Sequence, residues 1–94
     1  GSGELEREVL RLFVRQGESL VRQIAAAGSV GERADLAHRL KGSARAIGAM
    51  RVGRVAEALE GAIDDAEVAS LNADLARAVA EVERFVAGLL APAA

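Results

Sequence analysis

Cysteine, tryptophan and tyrosine are absent from this 94-residue chain, and proline, methionine, lysine and histidine occur once each. Without cysteine there can be no disulfide, no thiol nucleophile and no thiolate-bound metal. A lone histidine is a poor ligand set for zinc, which argues against a metal enzyme. Phe13 and Phe85 are the sole aromatics, so any core must be built from Leu, Val, Ile and the 21 alanines in close contact. That composition favours helices. The arginines have no aromatics interleaved with them and the net charge is −2, which argues against a nucleic-acid partner. No uncharged run approaches the roughly 18 to 20 residues of a bilayer span, and no basic-then-apolar leader opens the chain. The expectation is a soluble, unexported, cytoplasmic protein with no membrane contact.

What is present fits one small domain. Gly1-Ser2-Gly3 resembles an expression scar, residues 4–90 form the expected domain, and Ala91-Pro92-Ala93-Ala94 is expected to be a disordered tail. Apolar residues at Leu5, Val9, Leu12, Phe13, Leu20, Ile24 and Ala27 keep a three-and-four spacing, one face of a long amphipathic helix ending at Gly28. A second helix is expected over residues 32–47, with Leu36, Leu40, Ser43, Ala44 and Ile47 inward and Gly48 as its stop. A third spans 51–64, with Val52, Val55, Ala56, Leu59 and Ile63 on one stripe. The fourth runs over 68–90, with inward positions that include Leu75, Val79, Phe85, Val86 and Leu89, and Pro92 limits its continuation. Four such helices on short connections predict an all-α fold, a single antiparallel up-down-up-down four-helix bundle. Because four stripes can bury one another within one chain, a monomer is expected.

Charge is segregated along the chain. Residues 32–54 carry Arg33, Arg39, Lys41, Arg45, Arg51 and Arg54 against Glu32 and Asp35, a sum of +4 in a domain that is acidic overall. This strip holds the single histidine. On a wheel of about 100° per residue with Leu36 at zero, His38 falls near 200°, so it faces water. Lys41, Gly42 and Arg45 stand beside it at three, four and seven residues' distance, and Ala34 and Asp35 complete that surface. Cations so placed would stabilise an anion attached to the ring, and Lys41 and Arg45 could pair with a phosphoryl group. Eleven of the twelve basic residues are arginine, yet the one lysine follows the one histidine by three positions. A compact, mobile ammonium suits a group in transit better than a rigid fork. Gly42 costs an exposed helix about 1 kcal/mol relative to alanine, which suggests that something bulky must approach beside His38. On geometry alone, an ordinary surface histidine in a solvated basic face fits these residues as well.

The run Leu36-Ala37-His38-Arg39-Leu40-Lys41-Gly42-Ser43-Ala44, followed by Ile47-Gly48-Ala49 and Leu59-Glu60, resembles the signature of histidine-containing phosphotransfer (HPt) domains of multistep two-component phosphorelays. About 25 residues carry that signature. Val52 and Val55 stand where the family often has larger side chains. The resemblance implies a phosphocarrier without kinase activity of its own. His38 would be the phosphoacceptor through its solvent-facing Nε2, Lys41 the nearby cation and Gly42 the clearance for a partner. Ala34, Asp35, Arg39 and Arg45 would line the partner-binding surface. The implied partners are response-regulator receiver domains, a hybrid histidine kinase, or both. No cofactor is implied on this chain, Mg²⁺ being expected in the partner receiver. The reading from a different class is a helical docking module that binds a signalling partner without phosphotransfer.

Overall fold

The computed structural model describes residues 2–91. Its four helices are α1 (Ser2–Ala26), α2 (Val30–Ile47), α3 (Met50–Gly61) and α4 (Asp65–Leu90). Gly1 and residues 92–94, parts of the expected scar and tail, lie outside the described residues. α1 packs on α2, α2 on α3, α3 on α4, and α4 closes the ring on α1. Neighbours run antiparallel. Arg33, near the start of α2, donates to the Ala62 carbonyl just past α3 at 3.0 Å, whereas Arg45, near its end, pairs with Glu57 at 2.9 Å. This is the antiparallel four-helix bundle expected from the four stripes. No strand occurs among the described residues.

Local chemistry sets the helix ends. Ser29 caps α2 by accepting from the Glu32 backbone N–H at 3.1 Å, while the Glu32 carboxylate reaches back to the Gly28 N–H at 3.0 Å. α2 therefore starts at Val30, two residues before the expected position. α1 stops at Ala26, short of the expected Gly28. Gly48 ends α2 in the left-handed region at φ 79°, with its N–H bonded to Arg45 and the Ala49 N–H to Ala44. That pattern satisfies the last carbonyls, and the positive φ favours glycine. Asp64 accepts from the Glu67 N–H at 2.9 Å, so it caps α4 and does not belong to α3 as expected. Asp65 and Glu67 in the first turn suit the positive end of the helix.

The core is aliphatic. Ile24, Leu40, Leu59, Leu75 and Val52 are its largest fully enclosed side chains, with Ala37, Ala44 and Ala56 between them. Small residues let the helices approach: a Cβ on Gly17 of α1 would lie 3.4 Å from Val79 of α4. Several expected inward positions are not inside. Ile63 is 75% exposed because it sits in the α3–α4 connection, and Ser43 and Ile47 are half-buried. Phe85 and Leu89 of α4, and Leu5, Val9 and Leu12 of α1, are exposed. α1 and α4 run 25 and 26 residues against 18 and 12 for α2 and α3. Ile47 at the end of α2 lines the grooves beside Leu5, Val9 and Leu12, and Gly48 and Ala49 line the one beside Phe85, without burying these side chains. This corrects the premise of the monomer expectation, since an apolar step remains open at that end.

Candidate functional site

The α2–α3 hairpin builds the site. α2 turns Leu36, Ala37, Leu40 and Ala44 into the core, which leaves His38 outward with its side chain 72% exposed. From α3, Glu60 follows the fully buried Leu59 and lies at the seam between the two helices. Its carboxylate meets two donors. Oε1 lies 2.8 Å from Nδ1 of His38, and Oε2 accepts from Nζ of Lys41 at 2.9 Å. The ammonium beside it holds the Glu60 carboxyl below the usual carboxylate range, against the opposing effect of burial, and the His38 contact adds to the depression.

A carboxylate can only accept, so this contact assigns the neutral ring's proton to Nδ1. The Nε2 lone pair is then left without an intramolecular partner among the described residues, on an exposed ring. A carboxylate on one imidazole nitrogen both selects the tautomer and fixes the plane of the ring. The arrangement can present Nε2 as a nucleophile to a group arriving from solvent, with a cation one helical turn away.

Each expected site residue has a definite place. His38 is exposed, as the wheel predicted. Lys41 is not: its side chain is only 14% exposed, because it leans across the seam onto Glu60. The structure thus brings His38 and Lys41 together through a carboxylate and not as neighbours on an open face. Gly42 is exposed, and a Cβ built on it would meet nothing within 4 Å. Asp35 is exposed and Ala34 half-exposed beside it. Arg45 pairs with Glu57 of α3 at 2.9 Å, both well exposed. Arg39 turns toward α1, where it lines a groove with Gln16, Ser19, Leu20, Gln23 and Ser43, away from the Glu60 seam.

Half of the basic strip is answered by acids from the second half of the chain. Lys41 pairs with Glu60, Arg45 with Glu57 and Arg51 with Glu81. Glu60 is the neighbour of His38 and Lys41 that reading the strip alone missed. Its glutamate stands in the Leu59-Glu60 continuation of the signature, but its contact with His38 spans 22 positions and depends on helix packing. Among the described residues, no group of three His, Cys, Asp or Glu side chains is placed to hold a metal ion.

The family model described as the Hpt domain matches residues 8–89, nearly the whole chain and all four helices. Comparison with curated proteins and with solved structures gave no significant match. The match takes in the His38 signature, the Gly48 stop and Glu60, so the chain belongs to the Hpt domain family, whose members carry phosphoryl groups on histidine in phosphorelays.

Proposed function

We propose that His38 accepts a phosphoryl group on Nε2 from the phosphorylated aspartate of a receiver domain and passes it to the aspartate of another. The observation that carries this reading is the Glu60 carboxylate at 2.8 Å from Nδ1 of a largely exposed ring. It supports a nucleophile whose proton is parked on the inner nitrogen and whose lone pair faces outward. Lys41 supplies positive charge one turn away. Gly42 leaves the approach open. Asp35, Arg39 and Arg45, exposed around the same helix, offer polar contacts for the partner's rim, and Ala34 a small one. The chain acts as a carrier and conduit, with no kinase activity of its own. It binds no cofactor in this proposal, and Mg²⁺ is expected on the receiver's side of the encounter.

The reading takes the chain as a monomer, since His38, Lys41, Gly42 and Glu60 all lie on the α2–α3 hairpin. No described helix is long and apolar enough to cross a membrane, which is compatible with work in the cytoplasm beside soluble receivers. Incubation with a panel of phosphorylated receiver domains tests the proposal: label should move from at least one of them to this chain and back to an unphosphorylated receiver. Specific binding of a receiver, unchanged in His38→Gln and without movement of label, would instead favour a docking module.

A further inference from the structure

This inference rests on the reading of His38 as phosphoacceptor and concerns the charges around it. In the resting site one carboxylate serves two donors, the Lys41 ammonium and the His38 Nδ1–H. The Lys41 and Glu60 side chains are 14% and 23% exposed, so an unmatched charge between them would be poorly solvated. The charged groups facing the ring are Glu60 from α3 and, one turn to either side on α2, Asp35 and Lys41. Glu57, three residues before Glu60 on α3, is engaged by Arg45.

Transfer changes this balance. The Nε2 lone pair forms the N–P bond as the P–O bond of the acyl phosphate breaks, and that bond's electron pair leaves with the receiver's carboxylate. Nδ1 keeps its hydrogen throughout. The ring thereby becomes an N-phosphorylated imidazolium, one positive charge beside Glu60, while the phosphoryl oxygens bring close to two negative charges to the outer edge. A single ammonium cannot serve both anions equally well.

We propose that Glu60 exchanges partners on phosphorylation: Lys41 leaves it for the phosphoryl oxygens, and Glu60 becomes the counter-ion of the Nδ1–H imidazolium. Every charge then has a partner in both states. The proton stays on the ring in both directions, so neither transfer in nor transfer out requires a base. In the outward step the N–P bond breaks, its electron pair returns to Nε2, and the leaving group is a neutral imidazole. Glu60 is a positioning residue in this scheme and touches neither phosphorus nor the receiver. Its charge preserves the protonated, readily cleaved form of the phosphoramidate.

The test uses the chain labelled with ¹⁵N-histidine and phosphorylated chemically with phosphoramidate, so it depends on no receiver and fails independently of the transfer experiment. Nitrogen and phosphorus NMR are recorded against pH for the parent, Glu60→Gln and Lys41→Met, with a melting curve for each. The parent should keep its Nδ1–H signal to a pH about one unit or more above that at which Glu60→Gln loses it. Lys41→Met should keep that proton but shift the phosphorus titration upward, because the dianion has lost its cation. The exchange is overturned if parent and Glu60→Gln lose the proton at the same pH. It is equally overturned if the phosphorus titration ignores Lys41, a readout that does not depend on whether the Glu60 variant folds.

Discussion

Gly42 lies in the body of a helix with open space where a side chain would project, and that combination separates stability from function. Gly42→Ala should stabilise the fold by roughly 0.4 to 1 kcal/mol, because it removes freedom from the unfolded chain and meets no atom in the folded one. Phosphotransfer should slow, and Gly42→Leu should nearly abolish it while the protein still melts cooperatively. Paired melting curves and transfer rates check both halves. Lys41 behaves differently from the freely exposed residue its spacing suggests. Since it is mostly covered and hydrogen-bonded to Glu60, Lys41→Ala should lower stability by about 1 to 2 kcal/mol as well as slow transfer, measurable by chemical denaturation. His38 and Gly42 were legible in the sequence because contacts within one turn of one helix follow from spacing alone. The burial of Lys41 was not, since its partner arrives from another helix.

The α2–α3 hairpin is the element that turns the signature into a site, and its carboxylate gives it a pH signature. Glu60 titrates below the ordinary carboxylate range when folded, so its contribution is present above that range and lost as pH falls through its folded value. Acid unfolding should therefore be shallower in Glu60→Gln than in the parent, as followed by circular dichroism across the acid limb. The α1–α4 seam has the opposite sign. Desolvation, with Glu18 facing it, pushes the Glu83 carboxyl up, so the folded state binds a proton more readily there and loses stability as pH rises through that window. Glu83→Gln should raise the melting temperature at neutral pH, and the advantage should fade on acidification. Helix number and order were legible from the stripes. The ends were less so, because side-chain caps decided them: Ser29 with Glu32 drew α2 forward, and Asp64 transferred from the third helix to the start of the fourth.

At the scale of the whole molecule, periodicity foretold which face of each helix is apolar but not whether a neighbour would be long enough to cover it. Phe85 and Leu89 keep the spacing of Leu75 and Val79 yet lie exposed, as do Leu5 and Val9, because the shorter α2 and α3 leave this end of α1 and α4 only partly covered. The side chains proposed to take part in transfer, by contrast, lie on the α2–α3 hairpin itself. In the proposed function, His38 is where this chain carries phosphate. The most direct test of this is to phosphorylate the protein from a receiver domain, recover it and treat it with acid and with base. The label should be lost in acid, survive base and be absent from His38→Gln, as a phosphoramidate on that one ring requires. Label that survives acid, or that persists in His38→Gln, would contradict it.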